Sequence, residues 1–237
     1  MLVVGIPAAA FGTNCFVLAP QEGEECLVVD PGIGVVDPLE RVLAEHRLKP
    51  AAVLLTHGHL DHVFSVTPVC GARGVAAVIH PDDLYRLADP ISTLDPSLVA
   101  MFAQTFGPQA SWHEPEDVVT VEDGEVLRLA GLEASVDHAP GHTEGSIMFR
   151  LPAPDLTGSD GGQVVVSGDV LFAGSIGRTD LPGGDPEAMW RSLARRVLPL
   201  RDDTVVLPGH GPTTTIGAER RSNPFLHEAA ARERRRA

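Results

Sequence analysis

The sequence is short of several residue types, and each shortage excludes a class of protein. Its 237 residues include one lysine, one tyrosine and three cysteines, and the formal net charge is −14. An acidic surface repels nucleic-acid phosphates and anionic membranes, so we expect neither as a partner. Cysteines in an odd and sparse set (Cys15, Cys26 and Cys70) do not suit a disulfide framework, and they fit a reducing cytosol.

Long apolar runs are also missing. No run reaches the roughly 18 residues that a membrane-spanning helix needs. Residues 1–5 lack the basic flank and the cleavage site of a secretory signal, so we expect a cytoplasmic protein. Glycine (24) and proline (20), in contrast, are plentiful and spread along the chain, which predicts many tight turns.

Short apolar segments alternate with turn residues along the first half of the chain. Residues 16–18 and 26–29 flank a polar turn and predict a hairpin. Residues 37–48 have apolar positions at helical spacing and predict a helix that is capped by Asp37 and begins at Pro38. Residues 51–55 are wholly apolar and predict a central strand.

The second half follows the same pattern, with strands at residues 126–137, 147–151, 164–167 and 204–207 and a helix at 185–198. A strand pair turning at Gly131 and a polar loop over 152–162 complete the prediction. Two β-rich halves, approximately 1–115 and 116–237, predict one α+β domain over 1–237 with two sheets face to face and helices outside. Residues 90–115 fit either a flap over a site or a packed excursion.

A dense group of metal-ligand residues follows the apolar strand at 51–55. Residues 56–62 read Thr-His-Gly-His-Leu-Asp-His, which places His57, His59, Asp61 and His62 within six positions. Imidazole and carboxylate suit zinc, iron or manganese. Three further candidates, each at the end of an apolar strand in a turn that contains glycine, are His142, Asp169 and His210.

This set of motifs resembles the five-motif pattern of the metallo-β-lactamase superfamily. The segments at residues 11–16, 29–32, 177–180 and 222–226 are most similar to the short bacterial members of its glyoxalase II-like branch. The resemblance implies a four-layer αββα sandwich. It also implies a first metal bound by His57, His59 and His142, a second bound by Asp61, His62 and His210, and a bridge between them formed by Asp169.

Two metal ions held in this way suit a hydrolase, because a hydroxide that bridges them is a nucleophile at neutral pH. We expect zinc, with iron or manganese as alternatives, and catalytic roles for Asp61 and Asp169. The branch implies a small-molecule thioester of glutathione or another low-molecular-weight thiol as substrate. Asp169 stands where antibiotic-hydrolysing members typically carry Cys or His, which argues against β-lactams as the main substrate.

Two other functions stay open. Persulfide dioxygenases share the Gly-Arg-Thr-Asp stretch at 177–180 but use one iron, which His57, His142 and Asp169 would hold here. A non-catalytic binding domain stabilised by metal is the second alternative, although structural sites are usually rich in thiolates.

Three residues outside the ligand set are candidates for supporting roles. Asp30, at a strand end, either hydrogen-bonds a ligand histidine or only forms a turn before Pro-Gly. Arg178 and Asp180 either pair with each other and fix their loop, or Arg178 contacts an acidic substrate. The remaining histidines are expected to be ordinary surface or core residues, namely His46, His80, His113, His138 and His227.

Overall fold

The computed structural model describes residues 1–91 and 112–236, whose strands form two six-stranded sheets. The first sheet contains, in spatial order, β1 (Leu2–Pro7), β2 (Asn14–Ala19), β3 (Glu25–Val29), β4 (Lys49–Leu54), β5 (Ala77–Ile79) and β6 (Val118–Thr120). Strands β1 to β3 are antiparallel, which confirms the predicted hairpin, and β3 to β6 are parallel.

The second sheet contains β7 (Val126–Leu129), β8 (Leu132–His138), β9 (Ile147–Pro152), β10 (Gln163–Gly168), β11 (Val205–Pro208) and β12 (Thr214–Thr215), again in spatial order. Only β10 and β11 are parallel neighbours. The turn between β7 and β8 contains Gly131 with φ 68°, as predicted. The two sheets divide the chain after Thr120, a few residues beyond the predicted division, because β6 completes the first sheet.

Alternation along each central strand builds two cores at once, because successive side chains point to opposite faces of a sheet. In β2, Phe16 and Leu18 pack between the two sheets, whereas Cys15 and Val17 pack on the outer face of the first sheet. The residues between the sheets come from both halves of the chain, and Phe149 of β9 is fully buried among them.

Helices flank the two sheets. They are α1 (Val36–Glu45), α2 (Leu60–Val63), α3 (Val66–Arg73), α4 (Leu84–Ala88), α5 (Pro154–Thr157), α6 (Pro186–Ser192), α7 (Ile216–Ser222) and α8 (Pro224–Arg236). Leu39 of α1 packs on the first sheet, and Met189 of α6 and Leu226 of α8 pack on the second. The layers are therefore helix, sheet, sheet and helix, which confirms the αββα sandwich.

Three local predictions need correction or lie outside the described residues. Asp37 does not cap α1: the amide of Leu39 already donates to the carbonyl of Val35, so the helix begins at Val36 and Asp37 lies in its first turn. The predicted polar loop at 152–162 contains the short helix α5. Most of the segment predicted as a flap or excursion, 90–115, lies outside the described residues. None of the helices that the structure describes has the length and apolar character to cross a membrane.

Candidate metal centre

The candidate ligands lie together at one edge of the two sheets, just after the carboxyl ends of β4, β8, β10 and β11. Two sheets packed face to face bring these four strand ends to one place, although the residues are up to 153 positions apart in the sequence. All seven side chains predicted to bind metal meet there: His57, His59, Asp61, His62, His142, Asp169 and His210.

Three imidazoles form what we call the first cluster, namely His57, His59 and His142. Nδ1 of His59 lies 3.1 Å from Nε2 of His57 and 2.8 Å from Nε2 of His142. All three side chains are buried. Burial lowers the pKa of His57 and that of His59 well below the usual histidine value, so both rings are neutral and each has a lone pair to offer.

Hydrogen bonds at the far side of two rings orient these lone pairs. Nδ1 of His142 lies 2.7 Å from the carbonyl oxygen of Arg178, which can only accept, so this nitrogen carries the hydrogen. Nδ1 of His57 lies 3.1 Å from Oγ1 of Thr56, whose own hydrogen is donated to Asp30. The Nε2 lone pairs of both rings therefore face the centre of the first cluster.

Asp61, His62 and His210 form the second cluster. Oδ2 of Asp61 lies 3.5 Å from Nε2 of His62 and 3.3 Å from Nε2 of His210, and these two nitrogens are 3.3 Å apart. Burial alone would raise the pKa of Asp61, but His62 and hydrogen bonds from His210 and Thr13 bring it well below the usual range. Its carboxylate is therefore ionised.

Asp169 lies between the two clusters. Oδ2 of Asp169 is 3.4 Å from Nε2 of His142 in the first cluster and 3.5 Å from Nε2 of His210 in the second, and Oδ1 is 3.3 Å from Nε2 of His62. Burial opposes ionisation of Asp169, yet the neighbouring histidines, His62 foremost, lower its pKa below the usual value. One carboxylate thus reaches both clusters, as a bridging ligand must.

The chemistry and spacing of these groups fit two divalent cations. Ligand nitrogens about 2.0–2.1 Å from a zinc ion at the tetrahedral angle lie about 3.3–3.4 Å apart. The separations of 3.3–3.5 Å in the second cluster match this spacing, and those of 2.8 and 3.1 Å in the first cluster are somewhat shorter. In the first cluster, without a cation, the lone pairs of neutral rings would face one another. Buried Oδ1 of Asp169 lies 3.3 Å from Nε2 of His62, itself a candidate ligand, so a cation between them would satisfy both atoms. The donor set therefore suits divalent metal ions.

Asp30 hydrogen-bonds to residues of the loop that supplies ligands to both clusters. Its Oδ2 accepts a hydrogen bond from Nδ1 of His62 at 3.0 Å, and its two oxygens accept from the backbone amide and the hydroxyl of Thr56. Asp30 has φ 48°, a conformation that Asp tolerates better than most residues. Asp30 therefore contacts a candidate ligand, as the first of its two predicted roles requires.

Sequence reasoning missed two residues that hold the second cluster. Oγ1 of Thr13 donates to Oδ2 of Asp61 at 2.7 Å, and Thr13 is fully buried. Nδ2 of Asn14 donates to the carbonyls of Pro208 and Gly211, on either side of His210, at 2.9 Å each. Both residues lie in the segment 11–16, which resembles a family motif but shows nothing locally about these contacts.

A cavity of about 190 Å³ opens above the two clusters. Its apolar walls are Phe11, Leu60 and Leu181, and among the described lining residues Arg178 is the one arginine or lysine. Arg178 forms two 2.7 Å hydrogen bonds to the carboxylate of Asp180, which lower the pKa of Asp180 to about 2. The predicted ion pair is therefore formed, and Arg178 also borders the space where a substrate would lie.

The histidines predicted not to be ligands lie away from the two clusters where the structure gives their contacts. His80 and His138 stack with ring centroids 4.0 Å apart and lie close to Asp82. Nδ1 of His80 accepts from the amide of Asp82, and Nε2 of His138 donates to the carbonyl of Glu144. The lone pairs of two parallel stacked rings lie in parallel planes and do not converge on one point. His80, Asp82 and His138 are therefore poorly arranged to bind a metal ion.

Comparison with known proteins agrees with this geometry. An uncharacterized protein of Mycobacterium tuberculosis is 46% identical over 227 residues, which are 95% of this chain and 98% of that protein. The hydroxyacylglutathione hydrolase GloC of Haemophilus influenzae is 38% identical over 223 residues, 94% of this chain and 96% of the relative.

Solved structures with a similar fold include that of BLEG-1, described as a B3 metallo-β-lactamase, with a TM-score of 0.75, 34% identity and coverage of 95% of this chain and 99% of that one. A second was solved in a di-iron-bound form, with a TM-score of 0.72, 35% identity and coverage of 94% and 100%. A family model described as the metallo-β-lactamase superfamily matches residues 8–210. On this match and on the fold, the chain belongs to the metallo-β-lactamase superfamily.

Proposed function

We propose that this protein is a two-metal hydrolase that cleaves thioesters of low-molecular-weight thiols. The observation that carries the proposal is the convergence of seven ligand side chains into two clusters joined by Asp169. His57, His59 and His142 would hold one ion, and Asp61, His62 and His210 the other. Zinc is our first choice, and the di-iron form of a 35% identical structure keeps iron as an alternative.

Two divalent ions bound here would supply a water of lowered pKa and a Lewis acid for the substrate carbonyl. The protein's own groups would then orient the reaction. Thr13 fixes one oxygen of Asp61 through its hydrogen bond, which leaves that carboxylate in a single orientation beside the cavity. The apolar walls, Phe11, Leu60 and Leu181, would face the acyl group of a bound substrate.

The cavity favours a leaving group that departs without a proton. Among the described residues that line it, none outside the ligand set is a serine, cysteine, tyrosine or carboxylic acid. A thiol has a pKa of about 8.5, so a thiolate leaves readily near neutral pH, whereas an amide nitrogen requires a proton donor. A 38% identical relative named as a hydroxyacylglutathione hydrolase further supports the thioester.

The mononuclear dioxygenase hypothesis uses only His57, His142 and Asp169. This hypothesis assigns no function to Asp61, His62 and His210, although hydrogen bonds from or to Thr13, Asn14 and Asp30 hold these residues or their loops in place. Retention of this supported cluster favours the two-metal hydrolase.

Hydrolysis of β-lactams is the second candidate function, because BLEG-1 shares 34% of its residues with this chain. Both reactions transfer an acyl group to water, and they differ in the leaving group. The shortage of proton donors around the cavity favours the thioester over the ring amide.

Two further points concern the whole chain. Residues from both sheets share one core, which supports a single domain over 1–237. All three cysteines are free and buried, which supports a reducing compartment such as the cytoplasm.

Steady-state kinetics with a panel of substrates tests the proposed function. Metal-loaded protein is assayed with S-lactoylglutathione, acyl thioesters of other small thiols and a chromogenic cephalosporin, and oxygen uptake is followed with glutathione persulfide. We expect kcat/KM for at least one thioester to exceed that for the cephalosporin by 100-fold or more (about 2.7 kcal/mol). Turnover of the persulfide with oxygen, or no thioester turnover by protein that holds two metals, would contradict the proposal.

A further inference from the structure

A buried carboxylate outside the ligand set joins the loops of the first cluster. Asp83 is fully buried and ends a 3-10 turn, Pro81–Asp83, that directly follows β5. His80 begins this turn, because its Nδ1 accepts from the amide of Asp82. Strand β5 lies next to β4 in the first sheet, so the turn lies beside the loop that carries His57 and His59.

Both oxygens of Asp83 accept hydrogen bonds. Apart from Arg86, the donors lie in loops that follow strands of different sheets. Oδ2 accepts from the amide of Gly58 at 2.7 Å and from the hydroxyl of Thr143 at 2.8 Å. Oδ1 accepts from the amide of Gly145 at 2.9 Å and from Nε of Arg86 at 3.2 Å. Gly58 lies between His57 and His59, and Thr143 follows His142, so one carboxylate holds the two loops that supply all three imidazoles.

Close packing at two glycines shows that the loops fit around this turn. A Cβ atom on Gly58 would lie 2.6 Å from Cβ of Arg86, and one on Gly145 would lie 2.7 Å from Cβ of Asp83. Neither loop could approach the carboxylate as closely with a side chain at these positions.

The second cluster is held by other residues. Thr13 binds Asp61, Asp30 binds His62, and Asn14 binds the loop of His210. Within residues 1–91 and 112–236, no hydrogen bond joins Asp83 to any of these residues. Asp30 reaches the first cluster as well, through Thr56 and His57. Apart from Arg86, the described donors to Asp83 therefore lie in the loops of first-cluster ligands, although the loop of Gly58 continues to Asp61 and His62.

We propose that Asp83 is a positioning residue that holds the three imidazoles of the first cluster in place across the two sheets. It acts through Gly58, Thr143 and Gly145 and has no contact with the reacting groups. This inference rests on the proposed two-metal function, because it assigns to Asp83 the preorganisation of one of the two metal sites. Its consequence is that the two sites can be weakened separately.

The test uses cobalt(II) as the probe, followed by its visible absorption, in a His210→Ala background. That background removes a ligand from the second cluster only, so the remaining cobalt reports on the first cluster. We expect Asp83→Asn to weaken this binding by about 10- to 100-fold, as loss of a supporting hydrogen bond does at other metal sites. Asparagine has nearly the same shape as aspartate, but its side-chain NH2 group would face N–H or O–H groups that now donate to Asp83.

Asp82→Asn is the matched control. Asp82 is the neighbouring residue, its side chain is exposed, and the substitution removes the same charge. It should bind cobalt as the background does. Equal binding by Asp83→Asn and Asp82→Asn would overturn the inference. In the wild-type background, equal weakening of both sites by Asp83→Asn would also overturn it, since general loss of structure has no preference for one cluster.

A second pair of variants covers the case in which Asp83→Asn does not fold. Thr143→Val removes one donor to Asp83 without changing the size of the side chain, and Thr143→Ser retains the hydroxyl. We expect Thr143→Val to weaken cobalt binding at the first cluster by about tenfold and Thr143→Ser to restore it. Wild-type binding by Thr143→Val would contradict the inference.

These outcomes are separable from failure of the proposed function. If wild-type protein with two metals hydrolyses no thioester, the proposed activity fails, yet the cobalt titrations still decide the role of Asp83. If thioesters are hydrolysed and Asp83→Asn binds cobalt normally, only the inference about Asp83 fails.

Discussion

Nδ1 of His62 donates a hydrogen bond to Oδ2 of Asp30 across 3.0 Å, and neither side chain exposes more than 2% of its surface. The bond fixes the hydrogen on Nδ1 and directs Nε2 toward Asp61 and Asp169. Since Asp30 also accepts from the amide and hydroxyl of Thr56, its position is determined by the end of β4. The buried carboxylate thus couples the first sheet to the second cluster.

Asp30→Asn should weaken metal binding at the second cluster. Asn tolerates the positive φ of this position, but its amide nitrogen would face the donors of Thr56 or His62. We expect about a 10- to 100-fold loss of zinc affinity, measured by competition with a chromogenic chelator. Asp37→Asn, which changes an exposed carboxylate in α1, is the control and should bind as the wild type does. Unchanged affinity in Asp30→Asn would show that His62 needs no such partner.

Thr13→Val should reduce catalysis through Asp61. A hydrogen bond to an ionised group contributes about 1.5–3 kcal/mol, so we expect kcat/KM for the best thioester to fall about 10- to 100-fold. Thr13→Ser keeps the hydroxyl and should recover most of the loss. The control is Thr120→Val, an exposed change at the end of β6. If valine and serine at position 13 give the same kcat/KM, the hydroxyl does not orient Asp61.

Arg178→Ala should affect substrate binding more than stability. Exposed ion pairs contribute about 0–1 kcal/mol, so the melting temperature should change little. Because Arg178 lines the cavity, KM should rise severalfold for a thioester of an anionic thiol and stay constant for a neutral one. The control is Arg201→Ala, since Arg201 makes the same paired contact with Asp203 but does not line this cavity. A lower melting temperature with constant KM would assign Arg178 to the loop alone.

His80 should make the metal-free protein less stable in acid. Burial, with a further contribution from His138, lowers the pKa of His80, although the facing carboxylates of Asp82, Asp83 and Glu122 oppose the shift. The unfolded chain, with a histidine pKa of about 6.5, therefore takes up a proton first as the pH falls. The stability is fully present above that pH and decreases below it.

The measurement for His80 is the melting temperature of metal-free protein at about pH 7.5 and about pH 5.5, on either side of the usual histidine pKa. His80→Asn keeps an acceptor for the amide of Asp82 but cannot titrate, so its melting temperature should fall less between the two pH values. The same decrease in both proteins would exclude His80 as a source of acid sensitivity.

The seven candidate ligands could be found in the sequence because each of them follows an apolar strand in a short turn with glycine, a pattern visible within a few residues. The αββα layers were implied by the family resemblance, and the two β-rich halves with their helices independently indicated two packed sheets with helices outside. Thr13, Asn14 and Asp83 could not be predicted in the same way. Apart from Arg86, which is three residues from Asp83, their partners are 25 to 197 residues distant in the chain, and only the folded sheets bring them together.

The start of α1 shows a different limit. Asp37 before Pro38 has the composition of a helix cap, and that local pattern predicted the wrong start. The hydrogen bond from the amide of Leu39 to the carbonyl of Val35 begins the helix earlier, and it places Leu39 and Leu43 on the buried face. Packing of the apolar residues therefore overrides the local capping preference.

The most direct test of the two-metal account is the number of metal ions per chain in the wild type and in His210→Ala. It is measured by inductively coupled plasma mass spectrometry on protein of known concentration. Wild-type protein should hold two ions, and His210→Ala should hold one, because only the second cluster loses a ligand. The control His227→Ala, at an exposed position of α8, should hold two. One ion in the wild type that is unaffected by His210→Ala would contradict the account and favour the mononuclear centre of His57, His142 and Asp169.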